Sequence, residues 1–226
     1  MSARLEKKLI DGPAGRIEVV LDWPSAAQAT GVACIGHPHP LYGGTLDNKV
    51  AATMARTFAA LGWLSLRFNF RGVGASDGLH DDGHGETDDF LHVLRIVPAL
   101  AGVAERLASS RTIALAGFSF GSFVAARAAQ ALAAGSRPAD YLVLVGAAAG
   151  KWPMPEVRAD TLVIHGENDE TIGLAAVLDW ARPMGLPVLV IPGADHFFHR
   201  RLGVLKARIS AHIRGVSQFD AAEQSH

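Results

Sequence analysis

Short apolar segments alternate with amphipathic segments along most of this chain, and this alternation restricts the fold more than any other feature. The apolar segments are continuous and rich in β-branched residues, as strands covered by helices on both faces are. They lie at residues 32–36, 64–69, 112–116, 141–145, 161–165 and 187–191. Strand–helix alternation of this kind predicts an α/β fold with a mostly parallel, twisted sheet and right-handed crossovers.

The segments between the strands predict the helices and the domain organisation. Amphipathic stretches lie at residues 47–61, 86–100, 119–134, 174–181 and 197–213. Two further strands around a Gly-Pro-Ala-Gly turn predict an antiparallel hairpin before the alternation begins, at residues 5–10 and 16–22. No internal repeat and no linker rich in Gly, Ser or Pro is present. We therefore expect one domain over residues 1–216 and a flexible polar tail over residues 217–226.

Charge and cysteine content exclude several classes of partner. The chain has 21 basic and 22 acidic residues, so it offers no basic surface for nucleic acid or for an anionic membrane. Cys34 is the single cysteine and lies in an apolar run, which rules out an intramolecular disulfide. The first residues lack the apolar core of a signal peptide, and no segment is long and apolar enough to cross a bilayer. We expect a cytoplasmic protein.

The segment Gly-Phe-Ser-Phe-Gly at residues 117–121 lies between a predicted strand and an alanine-rich predicted helix. In this context G-x-S-x-G forms a tight turn that exposes the serine hydroxyl at the end of the strand. Side chains two positions from the serine would clash within the turn, and Gly117 and Gly121 avoid this. A glycine-rich turn without chemistry is the alternative, but the placement favours Ser119 as a nucleophile.

A nucleophilic serine needs a base, and the base needs an acid to orient it. Asp169 and His196 each follow a predicted strand. Both therefore lie at the carboxyl edge of the sheet, where the active sites of open α/β sheets lie. The chain order Ser119, Asp169, His196 is the order expected when the serine is on a strand–turn–helix elbow.

Nearby residues compete for two of these roles. Glu167 and Glu170 flank Asp169 in the same loop, and either carboxylate is an alternative acid. His199 is an alternative base, but it lies about one turn into a predicted helix, whereas His196 lies on the loop itself. We favour Asp169 and His196.

An oxyanion needs backbone N–H donors that are in place before the reaction begins. The amide of Phe120, directly after the nucleophile, is the first expected donor, and the second should come from the loop after the strand at residues 32–36. In that loop Pro38 and Pro40 have no N–H. His39 is our first choice for the second donor and Leu41 is the alternative.

We expect neither a metal nor a cofactor. His37 and His39 have a ligand-like spacing, but no further ligand motif follows them, and a strand-to-loop His-Pro-His accounts for the spacing. The glycine-rich residues 71–78 follow a strand but lack the third glycine of a dinucleotide fingerprint.

These motifs together resemble the α/β-hydrolase superfamily, in particular its small bacterial, esterase-like branch. The similarity covers residues 5 to 214. It rests on residues 37–44 (HPHPLYGG), 67–76 (RFNFRGVGAS), 117–121 (GFSFG), 165–169 (HGEND) and 194–198 (ADHFF). The resemblance implies an eight-stranded sheet with an antiparallel second strand, and a Ser-Asp-His triad.

A cap domain, usual in the wider superfamily after the sixth strand, has no room here because only residues 146–160 join the two strands concerned. An open site without a lid is expected, and its apolar substrate-binding wall is predicted to consist of Leu41, Tyr42, Trp152, Met154 and Phe197. The predicted function is hydrolysis of a small-molecule, short-acyl carboxylic ester through an acyl-enzyme. Thioester or amide cleavage, and a non-catalytic binding role on the same fold, stay open. The sequence indicates no oligomeric state.

Overall fold

The computed structural model of the chain describes residues 4–223, with side chains at all of them except residue 110 and residues 216–223. The described residues form one eight-stranded sheet and five α-helices. The strands are β1 Leu5–Gly12, β2 Gly15–Asp22, β3 Ala29–Gly36, β4 Leu64–Phe68, β5 Leu107–Phe118, β6 Tyr141–Val145, β7 Leu162–Gly166 and β8 Val188–Ile191. The helices are α1 Lys49–Ala60, α2 His84–Ile96, α3 Phe120–Ala134, α4 Leu174–Ala181 and α5 Leu202–Glu223.

The strand order is β1-β2-β4-β3-β5-β6-β7-β8. The first two strands form the predicted hairpin, and β2 also pairs antiparallel with β4. All pairs from β4 to β8 are parallel. The predicted single-domain α/β-hydrolase fold, with its mostly parallel sheet and no cap domain, is confirmed. Because β3, β5, β7 and β8 point the same way, the loops that follow them meet at one edge of the sheet.

Two apolar layers cover the sheet, one on each face. On one face α2, α3 and α4 pack through residues such as Phe90, Val124 and Val177. On the other face α1 and α5 pack through residues such as Phe58 and Leu205. Each fully buried side chain of this size contributes about 1.5–3 kcal/mol. Burial on both faces explains why the parallel strands are continuous apolar runs rather than alternating ones.

The last helix differs from its prediction at both ends. It was expected over residues 197–213, but α5 begins at Leu202 and extends to Glu223. The later start follows from the backbone at Phe198 and Arg200, whose φ values of 53° and 58° are incompatible with a right-handed helix. The expected tail at residues 217–226 therefore begins inside α5, and its end lies outside the described residues. Its flexibility stays a prediction.

The other predicted elements occur within a few residues of their expected positions, except that β5 is longer and spans Leu107–Phe118. Within residues 4–223, no helix combines the length and the apolar character needed to cross a membrane. The connection from β6 to β7 contains neither a helix nor a strand. No cap therefore lies over the edge of the sheet at this point.

Candidate active site

The turn at Ser119 has the geometry of a strained elbow. β5 ends at Phe118, α3 begins at Phe120, and Ser119 between them has φ 56° and ψ −125°. This is an unfavourable conformation for a residue with a side chain. A Cβ atom on Gly117 would overlap the carbonyl oxygen of Gly121, and one on Gly121 would overlap that of Gly36. Glycine is therefore required at position 117 for β5 to approach α3, and at position 121 for α3 to approach the end of β3.

Ser119, His196 and Asp169 form one chain of hydrogen bonds. His196 Nε2 lies 3.1 Å from Ser119 Oγ, and His196 Nδ1 lies 2.7 Å from Asp169 Oδ2. Because a carboxylate only accepts, Nδ1 carries the proton and Nε2 is free to accept the serine proton. All three residues are buried. The structure brings the three predicted residues together in the arrangement that removes a proton from a serine.

Asp169 is held as an anion by several donors. Its Oδ1 accepts hydrogen bonds from the amides of Thr171 and Ile172, at 2.9 and 2.7 Å. Burial by itself raises the pKa of this carboxyl, but the hydrogen bonds from His196 and Ile172 outweigh burial and leave the pKa below its usual value. His165 Nε2 also lies 3.5 Å from Asp169 Oδ2. Both oxygens of Asp169 are thus fixed before any substrate arrives.

The three alternative residues, Glu167, Glu170 and His199, lie outside the chain of hydrogen bonds formed by Ser119, His196 and Asp169. Glu167 Oε2 accepts the amide of Gly193 at 2.8 Å, which joins the loop after β7 to the loop after β8. Glu170 is exposed. His199 is exposed as well, and its Nδ1 lies 2.6 Å from Asp195 Oδ2. None of the three makes a hydrogen bond to Ser119 or His196 among the described residues.

The backbone amides of His39 and Phe120 are the expected hydrogen-bond donors to an oxyanion. Within the described part of the chain, the amides of His39 and Phe120 donate to no other residue. The amide of Leu41, by contrast, donates to His39 Nδ1 at 3.2 Å. The centroids of the His39 imidazole ring and the Phe120 phenyl ring lie 4.8 Å apart, so the loop after β3 contacts the start of α3. This contact pattern favours His39 over Leu41 as the second donor.

His37 holds the loop that carries His39. Its Nε2 accepts the amide of Phe70 at 3.0 Å, and its Nδ1 lies 2.6 Å from the carbonyl oxygen of Pro38. Both ring nitrogens are therefore engaged by the backbone and neither is available to a metal. Among residues 4–223 no group of three His, Cys, Asp or Glu side chains is placed to hold a metal ion.

The five residues predicted as an apolar wall are not equivalent in the structure. Trp152 lies against Phe120, with ring centroids 4.8 Å apart, and Phe197 lies 5.1 Å from the ring of His196. Tyr42 contacts the ring of His39 at 4.8 Å. The other two predicted residues are aliphatic: Met154 packs against the core, and Leu41 is mostly exposed.

One part of the site was not predicted. His80 lies 4.8 Å from the ring of His39 and 5.4 Å from that of Phe120. Its Nδ1 is 2.7 Å from the buried carboxylate of Glu86. The sequence signal for the His80–Glu86 pair was an acidic residue at the third position of α2 together with a histidine shortly before that helix.

The chain is similar to one curated protein and to several solved structures. No protein-family model matches the chain. The uncharacterized protein RP471 of Rickettsia prowazekii is 30% identical over 207 residues, which cover 83% of this chain and 80% of that protein.

Two solved structures that are similar to this chain are described as α/β serine hydrolases or their homologues. One is XC6422 from Xanthomonas campestris, described as an α/β serine hydrolase without a lid. It is 36% identical, the match covers 97% of this chain and 96% of that one, and the TM-score is 0.81. An α/β serine hydrolase homologue from Coxiella burnetii is also 36% identical, with 91% and 95% coverage and a TM-score of 0.74. The chain belongs to the α/β serine hydrolases that lack a lid.

Proposed function

We propose that this hydrolase cleaves short-acyl carboxylic esters through a covalent acyl-enzyme, with Ser119 as the nucleophile. The observation that carries the proposal is the continuous chain of hydrogen bonds from Ser119 Oγ through His196 to Asp169, at 3.1 and 2.7 Å. An isolated buried serine has no such base within reach. A binding protein on the same fold would have no use for a strained elbow that presents a hydroxyl to an imidazole.

The first half of the reaction forms the acyl-enzyme. Ser119 Oγ attacks the ester carbonyl carbon while its proton moves to His196 Nε2. The carbonyl oxygen becomes an oxyanion and accepts hydrogen bonds from the amides of His39 and Phe120. The tetrahedral intermediate then collapses, the bond to the leaving oxygen breaks, and His196 gives its proton to that oxygen.

The second half consumes water. A water molecule donates a proton to His196 Nε2 and attacks the acyl carbon, and the acid is released as the proton returns to Ser119 Oγ. Asp169 accepts from Nδ1–H throughout, which fixes the tautomer of His196 and stabilises the imidazolium. Its lowered pKa keeps Asp169 ionised at neutral pH.

Labelling with a fluorophosphonate tests the nucleophile directly. Wild-type protein should gain the mass of one phosphonyl group and lose turnover of p-nitrophenyl butanoate in parallel. Ser119→Ala should neither gain the mass nor retain turnover, since removal of such a serine costs about 10⁶-fold in a comparable enzyme.

Ser25→Ala, at an exposed serine, is the matched control and should behave as wild type. Label on Ser119→Ala, or a variant that keeps a tenth of the wild-type rate, would contradict the assignment.

A further inference from the structure

A groove of about 590 Å³ lies beside the candidate site, between the start of α1 and the segment that follows His196. Its walls include Gly43, Lys49, Phe197 and Arg200. The ring of Phe197 lies 5.1 Å from the ring of His196, so the groove begins next to the proposed base. We call this feature the Lys49–Arg200 groove.

The groove lies on one face of the sheet, and the aromatic cluster of Phe120, Phe123 and Trp152 lies on the other. Val50, in the groove wall, belongs to the apolar layer of α1 and α5. Phe120 and Phe123 belong to the layer of α2 and α3, and the ring of Trp152 stacks on Phe123 at 5.3 Å. Aromatic side chains therefore fill the α2–α3 side of the site, and the α1–α5 side keeps a groove.

The proposed chemistry decides which part of the substrate lies near this groove. The leaving atom must receive its proton from His196 Nε2, and proton transfer needs a separation of about 2.6–3.2 Å. The leaving group therefore lies on the His196 side of the scissile bond. Phe197 follows His196 directly and forms one end of the groove. A leaving group longer than a simple alcohol would extend along it.

The groove wall carries two positively charged side chains, Lys49 and Arg200. Lys49 and Arg200 make no ion pair with any other residue in the described part of the chain, and both are exposed. Asp47 also lines the groove, and its mostly exposed carboxylate lies 3.4 Å from Arg67. Asp195, next to the groove, lies 2.6 Å from His199. Because Lys49 and Arg200 face the single carboxylate of Asp47, the groove wall keeps a net positive charge that a negatively charged group would meet.

The backbone at Arg200 does not itself require arginine. Its φ of 58° lies in the left-handed region, which glycine adopts without strain and a residue with a Cβ adopts at a cost. A cationic side chain thus lies in the groove wall at a position where glycine would suit the backbone better. This position also supplies a useful variant, since Arg200→Gly removes the charge and relieves the strain.

From the groove, its charges and its place beside His196, we infer that this enzyme acts on esters or thioesters whose leaving group carries an anionic substituent. The inference rests on the proposed acyl-transfer function. A carboxylate or a phosphate on the leaving alcohol or thiol binds between Lys49 and Arg200 while the carbonyl carbon lies at Ser119 Oγ. The groove thus selects the leaving group, and the aromatic side of the site receives the acyl group.

Two matched substrate pairs test the inference and separate the two anions. The carboxylate pair is the butanoyl ester of 4-hydroxyphenylacetate and that of 4-hydroxyphenylacetamide, which differ in charge but hardly in size. The phosphate pair is butanoyl-coenzyme A and the butanoyl thioester of N-acetylcysteamine. The quantity measured is the ratio of kcat/KM within each pair, anionic over neutral. Wild type should give a ratio above one in at least one pair, and the ratio should fall as salt screens the charges.

Variants assign the preference to the groove. Lys49→Gln and Arg200→Gly should each lower the ratio about twofold to fivefold, and the double variant about tenfold, the size expected of exposed charge pairs. Lys206→Gln, at an exposed lysine of α5 outside the groove, should leave the ratio unchanged. Ratios near one in both pairs, or ratios that the double variant does not lower, would overturn the inference.

Direct binding separates failure of the groove from failure of the proposed reaction. Calorimetric titration of 4-hydroxyphenylacetate against 4-hydroxyphenylacetamide needs no turnover. Tighter binding of the acid, weakened in the double variant, supports the groove even if neither ester is hydrolysed. Equal binding of acid and amide, together with equal binding of coenzyme A and N-acetylcysteamine, contradicts it even if ester turnover is rapid.

Discussion

The side chain of His37 accepts a hydrogen bond from the backbone N–H of Phe70 at 3.0 Å, which ties the loop after β3 to the loop after β4. On its other side the ring lies 2.6 Å from the carbonyl oxygen of Pro38, to which Nδ1–H donates. Only the neutral ring can accept from Phe70. Burial lowers the pKa of His37 to about 3, so this arrangement persists far below neutral pH.

The buried neutral ring makes stability depend on pH. Between pH 6.5 and about 3 the unfolded chain binds a proton at residue 37 that the folded chain does not bind. The contribution is therefore complete above pH 6.5 and decreases as the pH falls, by up to about 1.4 kcal/mol per pH unit. We expect His37→Gln to lower the free energy of unfolding at pH 7.5 but to weaken its dependence on pH.

Urea unfolding of wild type and His37→Gln at pH 7.5, 6.5, 5.5 and 4.5 checks this expectation. Other histidines with lowered pKa values, such as His165, are present in both proteins and cancel in the difference. The two stabilities should converge as the pH falls. Curves that stay parallel over the whole range would show that His37 does not remain neutral in the fold.

Two matched pairs of substitutions test the base and the acid. His196→Ala and Asp169→Asn should each lower kcat at least about 10³-fold, because the first removes the base and the second removes the anion that fixes its tautomer. His199→Ala and Glu170→Gln should stay within a few-fold of wild type, since both side chains are exposed. Initial rates on p-nitrophenyl butanoate measure all four. A loss in His199→Ala as large as that in His196→Ala would refute the placement of the base.

Glycine at position 121 should be indispensable to the elbow. A Cβ there would overlap backbone oxygens of Gly36 and His37, and backbone atoms cannot move aside as a flexible side chain can. We expect Gly121→Ala to lower the free energy of unfolding by several kcal/mol, a size typical of severe core strain, and to abolish fluorophosphonate labelling. Urea unfolding and labelling measure the two effects.

The control for this substitution is Gly215→Ala. Gly215 lies within α5 with nothing within 4 Å of an added Cβ, so alanine should stabilise the helix by about 1 kcal/mol. Equal stability of the two variants would show that the close approach of α3 to the end of β3 does not depend on glycine.

The sequence predicted the elbow and its partners because their determinants are local. Ser119 follows directly on β5, and Asp169 and His196 lie in the loops after β7 and β8. A parallel sheet brings such positions to one edge. The sequence left Glu167 as an alternative to Asp169, since both lie in one loop. The geometry separates them through a contact that no local pattern contains, the hydrogen bond from Gly193 to Glu167.

Features that depend on distant packing were missed. The contacts of His80 with His39 and Phe120 join three segments far apart in the chain, and nothing in the local sequence of any one of them indicates the others. The start of α5 was also missed, because the apolar spacing after His196 resembles a helix while the backbone at Arg200 turns into the left-handed region. The spacing of apolar residues indicates which side chains are buried, but it does not indicate the backbone φ angle that prevents a helix here.

The absence of a lid should appear in the dependence of rate on acyl length. Of the predicted wall, Trp152 adjoins Phe120, but Leu41 and Tyr42 are 70% and 87% exposed, so only the first few carbons of an acyl chain can be buried. Each buried methylene contributes about 0.8 kcal/mol, and a methylene in solvent contributes nothing.

On a p-nitrophenyl ester series, kcat/KM should therefore rise over the first few carbons and be highest between acetate and hexanoate, because carbons beyond the wall gain no contact. Trp152→Ala should flatten this rise, whereas Leu41→Ala should change it little, since that side chain is already in solvent. The rate should pass through the solubility limit of each ester without a jump. A maximum at dodecanoate or longer, or a clear increase at the interface, would mean that another element closes over Ser119 and extends the wall.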